Sequence, residues 1–428
     1  MCAQHTLDSS KKWSYHYQLT AISQSHPSFT AKYSGNNSLT SEAETNKLSL
    51  TTTLFLGRRL WKNAALYFNP EIAGGQGISS ARGIAGYTNG ETFRIGSTEP
   101  VLYIARMFFQ QHIPLGHAPY NKIEPTVNQV QDTIPASRLT ITAGKICLSD
   151  FFDNNSYSHD PRSQFMNWSL MSNAAWDYPA DTRGYTQGIV AELTKPLWAV
   201  RFGIVLEPRK ANGLQLDYHI AKAHSETIEL ERSWKAKHST TVRLLAFHNA
   251  SQAPSYRTTL LQVNSGDSSS VDVYTGGKEW KQYGGVKYGF GINAERDISN
   301  TIGAFFKASW NDGATATWAF TEIDRSLSAG VSIKGNRWKR TNDNIGVAQV
   351  INGISKDHRD FLNNSLYGFI IGDGKLSYGA EAITEIYYKA KLASSLFLSA
   401  DYQFVVNPAY NKDRGPVHVF SIRGHIEF

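Results

Sequence analysis

Apolar and polar residues alternate along most of this chain with a period of two, the repeat of a β-strand whose two faces meet different surroundings. The last segment is the clearest, with Phe420, Ile422, Gly424, Ile426 and Phe428 on one face and Ser421, Arg423, His425 and Glu427 on the other. The segment before it sets Leu398, Ala400, Tyr402, Phe404 and Val406 against Ser399, Asp401 and Gln403. Earlier, Tyr378, Ala380, Ala382, Ile386 and Tyr388 oppose Glu381, Glu385, Tyr387 and Lys389. Trp198, Val200, Phe202, Ile204 and Leu206 oppose Arg201 and Glu207, and Val242, Leu244 and Ala246 oppose Thr241 and Arg243. Read along the whole chain, the pattern predicts sixteen strands, near 13–22, 46–56, 63–72, 100–110, 137–146, 185–194, 199–207, 226–234, 239–248, 284–294, 300–310, 322–333, 344–351, 376–389, 395–405 and 417–427. No helical repeat, low-complexity tract or linker divides them. Residues 1–428 are therefore expected to form one domain, with 1–12 a flexible N-terminal segment.

Alternation alone does not separate a soluble sandwich from a membrane barrel, because both have one apolar and one polar face. The connections do. Short ones at Gly57–Lys62, Thr194–Trp198, Lys235–His238, Arg296–Asn300 and Leu392–Ser395 alternate with long ones at 23–45, 73–99, 147–184, 208–225, 249–283, 352–375 and 406–416. That is the two-rim arrangement of an outer-membrane barrel, and an even strand count puts both termini on the short-turn rim. The connection 111–136 breaks the alternation, since it should be short and is long. Trp61, Trp198, Trp234 and Trp338 sit beside short turns, where an indole is buried at the membrane interface while its N–H stays wet.

Composition adds to this picture without changing it. Mean hydropathy is −0.36, and no run approaches the roughly 18 apolar residues of a membrane helix; a transmembrane barrel needs only alternate residues to be apolar. The net charge of +7 comes partly from basic residues dispersed along one rim, among them Arg58, Arg59, Lys62, Lys235 and Lys237, and that is no nucleic-acid footprint. Cys2 and Cys147 form no disulfide framework. No apolar leader precedes Cys2-Ala3-Gln4, while the remainder of the chain predicts export, so a secretory leader is expected to have been removed.

Enzymatic motifs are weak. Gly289-Phe290-Gly291-Ile292-Asn293-Ala294 matches a dinucleotide fingerprint, but its alternation continues a strand with small residues turned inward and no helix follows. The histidines show no metal-ligand spacing, and there is no nucleophile elbow or phosphate loop. No metal or cofactor is expected, although a cation among Asp150, Asp153 and Asp160 stays open. Glu381 and Glu385 are roughly 13 Å apart along one strand face, wider than the roughly 5–9.5 Å of a glycosidase pair. They are expected to be solvated lumen charges balanced by Arg201, Arg243 and Arg423.

One stretch lacks alternation altogether: FFDNNSYSHDPRSQFMNWSLMSNAAWDYPADTRGY, residues 151–185. It mixes Asp, Asn and Arg, which hydrogen-bond hydroxyls, with Trp, Tyr and Phe, which stack on sugar faces. A long ordered loop on a strand scaffold is usually functional. Residues 144–193 around it resemble the carbohydrate-selective outer-membrane porins of the OprB type. The shared features are a Gly-Lys strand end, an FDxNxYxxDPRxxFxNW core and a WDYPAxxRGY exit. Asn69-Pro70-Glu71 and the segment from Asp401-Tyr402-Gln403 through Asn407-Pro408 to Phe428 extend the likeness over most of the chain, with 1–60 its weakest part.

The resemblance implies an all-β, transmembrane antiparallel barrel of about 16 strands with a loop folded into the pore. It also implies passive, selective diffusion of mono- and oligosaccharides through a lumen lined by arginines and acids. The expected partners are outer-membrane lipid and transported sugars, with no nucleic acid, and the assembly is a monomer or a homotrimer. Rival readings are an outer-membrane enzyme acting on lipid or polysaccharide and a plugged structural or adhesive barrel. On alternation, Glu71, Arg106, Arg138, Glu192, Arg201 and Glu207 are expected in the lumen, as are Arg243, Glu381, Glu385, Asp401, Arg423 and His425. Arg106 fits least well, because Leu102, Ile104 and Phe108 share its face by strict period. Within the constriction loop 147–184, DPRSQFMNWSLM is expected to form a short helix capped by Asp160 with Pro161 in its first turn. Asp153, Asn154, Asn155, Arg162, Trp168, Trp176, Asp177 and Arg183 are the constriction candidates, with Asp177 and Arg183 bracing each other.

Overall fold

The computed structural model describes residues 12–91, 99–235 and 237–428; the expected flexible segment 1–12 lies, but for Lys12, outside them. Among the described residues eighteen strands follow one another: β1 Trp13–His26, β2 Glu44–Trp61, β3 Ala64–Gly75, β4 Val101–Pro114, β5 Tyr120–Ile123, β6 Asp132–Pro135, β7 Arg138–Ile146, β8 Thr186–Lys195, β9 Trp198–Leu206, β10 His224–Lys235, β11 Ser239–Ser251, β12 Gly285–Asp297, β13 Ile302–Asn311, β14 Arg325–Gly335, β15 Arg340–Gly353, β16 Glu381–Lys391, β17 Leu396–Val406 and β18 Val417–Glu427. All but β5 and β6 form one closed antiparallel barrel, the 16-stranded architecture expected from the alternation. Closure joins β1 to β18 from Gln18↔Glu427 to Ser25↔Phe420, so the described barrel has no open edge.

The apolar faces point outward. Phe420 and Ile422 are 53% and 60% exposed, whereas their neighbours Arg423 and His425 are 0% and 3% exposed. Such a large outward apolar surface is unstable in water and fits a lipid surround. Among the described residues, no helix is long and apolar enough to cross a membrane. Trp61 and Trp234 face outward near the short-turn rim, as does Trp13.

Arg106 sits on the inner face for a reason that period two does not contain. A bulge in β4 against β3 shifts the register between Asn69↔Arg106 and Pro70↔Ile104. The extra residue, Ala105, reverses the parity. Leu102 and Ile104 are consequently 67% and 42% exposed, while Arg106 and Phe108 turn inward.

The irregular connection 111–136 also resolves. Its β5 and β6 pair as a separate hairpin, and beyond them Thr126 and Gln129 close a tight tip. The Asn63 amide donates to Asp132 at 3.0 Å and the Val130 amide to the Tyr67 hydroxyl at 3.3 Å. These bonds hold the hairpin against the inner wall of β3 at the short-turn rim. At the other rim, α2 (Tyr256–Asn264), α3 (Val271–Tyr274) and α4 (Lys356–Asn363) pack Tyr256, Tyr274 and Phe361 into an apolar cluster among the long loops.

Candidate functional site

The connection between β7 and β8 folds into the barrel and is fastened there mostly by polar groups. Asp153, in the left-handed region at φ 57°, accepts from the Asn173 amide at 2.6 Å, Asn293 Nδ2 at 2.6 Å and Lys307 Nζ at 3.3 Å. Asn155 Nδ2 donates to Asn293 Oδ1 at 2.7 Å. The glycine-rich run of β12 therefore serves the loop: Asn293 binds it, and a Cβ on Gly291 would come within 2.9 Å of the Asn173 side chain. Gly303 has the same task, since Tyr157 lies 2.0 Å from where its Cβ would be.

Two wall carboxylates clamp the loop instead of facing solvent. Glu385 accepts from the amides of Met166 at 2.6 Å and Asn167 at 3.0 Å. Glu381 accepts from the amides of Ala85 at 2.9 Å, Gly86 at 2.6 Å and Ala409 at 2.8 Å, so it ties two other long loops to the wall. Arg423 donates to the carbonyls of Pro161 at 2.6 Å and Gln164 at 2.8 Å. The expectation that Arg423 balances solvated Glu381 and Glu385 is corrected: all three are 0% exposed and hold backbone. Backbone groups entering a closed lumen must find partners, and a fixed carboxylate satisfies two amides at once.

The expected helix is corrected as well. Asp160 forms a single turn, accepting from the Arg162 amide at 2.9 Å and the Ser163 hydroxyl at 2.7 Å. The helix, α1, covers only Trp168–Met171 and is capped by Asn167, whose side chain accepts from the Ser169 amide at 3.0 Å. Glu385 takes the amides of Met166 and Asn167, which stops the earlier turn from propagating. Asp177 and Arg183 do not meet. Asp177 accepts from the amides of Trp318 and Phe320 at 3.0 and 2.8 Å, while the Arg183 guanidinium lies 4.2 Å from the Tyr103 ring.

Of the constriction candidates, Arg162, Trp168 and Arg183 line a cavity of 430 Å³ inside the barrel, together with Glu71 and Arg106 from the wall. Asp153, Asn155, Trp176 and Asp177 are buried supports, and Asn154 is exposed. Arg162 is the hub, donating to Glu91 at 2.7 Å, Gln18 at 2.9 Å, and Thr53 and Glu71 at 3.2 Å. Glu71 also accepts from Tyr103 at 2.5 Å and Tyr185 at 2.8 Å. Arg106 meets Asp150 through two bonds of 2.6 and 2.7 Å. Facing these charges, Trp168 packs on Tyr178 at 5.7 Å and Phe320 at 5.3 Å. The hairpin tip reaches the same cavity with Val127 and Asn128.

The other predicted residues lie elsewhere on the inner wall. Arg201 meets Glu229 at 2.8 Å, Glu231 at 3.0 Å and Glu192 at 3.3 Å; Arg243 meets Glu231 at 2.9 Å and Glu295 at 3.4 Å. This ladder of opposite charges spans β8 to β12. Arg138, at the foot of β7, donates to the Pro135 carbonyl at 3.3 Å. His425 shares a 2.8 Å bond with Thr20, and Asp401 accepts from Gln403 at 3.3 Å. Glu207 lies one residue beyond β9, fully buried, with no hydrogen-bond partner for either carboxylate oxygen among the described residues.

Sequence reasoning passed over Glu229, Glu231 and Glu295, although the alternation places them on the inner face opposite Ile228, Leu230 and Ala294. It also passed over Tyr103, which the β4 bulge conceals, and Phe320, which no local pattern marks.

The family profile described as carbohydrate-selective porin, OprB family, matches residues 31–428. Among solved structures, the chain is similar to Pseudomonas putida OprB in its high-pH structure, with 15% identity and a TM-score of 0.72 over 98% of this chain and 95% of that one. It is also similar to the outer membrane channel DcaP of Acinetobacter baumannii, with 10% identity and a TM-score of 0.52 over 99% of each chain. At such identities the likeness concerns the fold alone. None of the curated proteins matches the sequence significantly.

Proposed function

The chain belongs to the OprB family of carbohydrate-selective porins, channels of the Gram-negative outer membrane and not enzymes, and from that premise we propose passive, selective diffusion of mono- and oligosaccharides through its lumen. The observation that carries the reading is the pairing, across one 430 Å³ cavity, of an aromatic platform with a set of fixed charges. Trp168, Tyr178 and Phe320 offer ring faces to the apolar side of a sugar. Arg106, Arg162, Arg183, Glu71 and Tyr185 offer directed donors and acceptors to its hydroxyls. Each such contact is modest, which suits a pore that must release what it admits.

The Arg201–Arg243 ladder fits the same purpose. Its two arginines offset two of its four carboxylates, so it presents hydrogen-bonding groups while weakening the field of one sign. In this reading the short-turn rim and both termini face the periplasm. A monomer and a trimer serve equally well, since each barrel holds its own lumen.

The experiment is single-channel recording of the full chain in a planar bilayer with a panel of sugars. At least one sugar should block the ion current reversibly. Trp168→Ala should weaken that block about 2- to 13-fold, the equivalent of an aromatic contact of about 0.5–1.5 kcal/mol, and Trp168→Phe should restore most of it. A conducting channel that no sugar blocks, or equal block in wild type and Trp168→Ala, refutes the proposal. Absence of any conductance indicates the plugged-barrel alternative.

A further inference from the structure

We propose that His224, Glu226 and His248 form a binding site for a divalent transition cation of the zinc class on the outside of the barrel wall at its long-loop rim. The sheet register brings the three together. Glu226 of β10 is paired directly with His248 of β11, and His224 lies two residues before Glu226, so all three share one face of a two-stranded ribbon. That face is the outward one, which toward the middle of the barrel carries Ile228, Leu230 and Leu244. The trio is thus where the apolar belt gives way to the rim, and the pore does not reach it.

The donor set is already gathered. His224 Nε2 lies 3.0 Å from Glu226 Oε1 and His248 Nδ1 lies 2.9 Å from Glu226 Oε2. One ligand atom from each residue falls within 4.8 Å of the others. A tetrahedral zinc ion with bonds of about 2.0–2.2 Å holds its donors about 3.4 Å apart. Closing the trio around an ion therefore needs side-chain movements of about 1 Å, within reach of ring rotation on a fixed backbone. Two imidazoles and one carboxylate, with a fourth position left to water, are a donor set that zinc accepts. Imidazole donors also suit copper and nickel ions and do not suit magnesium or calcium.

The site is only partly open to its surroundings. The side chains are 19%, 34% and 46% exposed for His224, Glu226 and His248. On the enclosed side, His224 Nδ1 has no hydrogen-bond partner among the described residues. Without a cation, two imidazoles share a single carboxylate and one ring nitrogen stays unused. An ion would join the end of the loop 207–223 to the start of 252–284, because β10 begins where the first ends and β11 ends where the second begins.

The test is calorimetric titration of the folded full chain in zwitterionic detergent with ZnCl2, MgCl2 and CaCl2. One zinc ion per chain is expected, with no binding of magnesium or calcium at the same concentrations. His224→Ala, His248→Ala and Glu226→Gln should each weaken zinc binding at least about tenfold. His219→Ala, which removes an exposed histidine also paired with a carboxylate at 2.8 Å, should leave it unchanged. Cobalt(II) should give tetrahedral visible bands that the same three variants abolish. Heat-modified gel migration shows that each variant is folded. Zinc affinity unaltered in folded His224→Ala and His248→Ala, or lost equally in His219→Ala, overturns the proposal. Sugar block should be unchanged throughout, so this result stands or falls independently of the pore.

Discussion

If Glu385 is a clamp, replacing one of its accepting oxygens will free the loop without unfolding the wall. Glu385→Gln keeps the shape of the side chain but leaves one neutral carbonyl where two carboxylate oxygens accept from Met166 and Asn167 at 2.6 and 3.0 Å. Leaving a buried amide donor without its acceptor costs about 1–3 kcal/mol. The substitution should therefore cost about 1–3 kcal/mol of local anchoring, equivalent to about 5- to 140-fold in a local opening equilibrium. Asn167 also donates to the Gly86 carbonyl and to Gln403, at 2.8 and 2.9 Å, which favours the lower part of that range. The assay is hydrogen exchange of the folded protein read at the two amides. Exchange at Met166 and Asn167 should accelerate by that factor. The Trp168 amide, bonded to the Tyr87 carbonyl at 2.8 Å, should change less, and the amides of β15 to β17 should not change. A loosened loop should also make the single-channel current flicker. Unchanged exchange combined with altered ion selectivity would refute the reasoning, since a solvated lumen charge gives that result.

Two further predictions follow from the charge pairs. Arg201→Ala removes the shared partner of Glu192, Glu229 and Glu231, and Arg243→Ala that of Glu231 and Glu295. At about 1 kcal/mol per unscreened contact in water, cation preference should rise several-fold, with higher conductance and weaker sugar block. Unchanged reversal potential and block in both variants would remove them from the pathway. At the long-loop rim, burial alone would raise the Asp324 carboxyl. The His358 ring, the Lys287 charge and the Ser355 amide outweigh it and hold the group below the usual carboxylate range. A depressed carboxyl contributes stability above its unfolded value of about 4 and loses it as pH falls through the folded value. The protection of the α4 amides, taken relative to their intrinsic exchange rates at each pH, should therefore be high at neutral pH and fall under strong acid. Asp324→Asn should show reduced protection already at neutral pH and lose that acid dependence; identical protection profiles would refute the assignment.

What the sequence discloses depends on how local the cause is. Period two reports each residue's surroundings one strand at a time, so all sixteen wall strands and nearly every inward charge could be read from it. It fails at Arg106, where a single extra residue in β4 reverses the parity and only pairing with β3 reveals it. It also gives no hint of how an inward charge is used. Glu385 and Glu192 look alike in the alternation, yet one holds loop amides and the other pairs with Arg201, because the difference is made by a loop more than two hundred residues away from Glu385. The misplaced helix has the same origin: Asp160 and Pro161 are good start signals, and a distant carboxylate outbids them for the amides that follow. The connection 111–136 was legible only as an exception. Its hairpin tip enters the lumen from the short-turn rim and meets the loop from the other rim at one cavity, with Asn128 on one side and Arg162 on the other. One cavity inside the barrel is therefore lined by two segments that share no pattern and no sequence neighbourhood. The wall they both lean on is the only thing that relates them, and so the site follows from the fold more than from any motif.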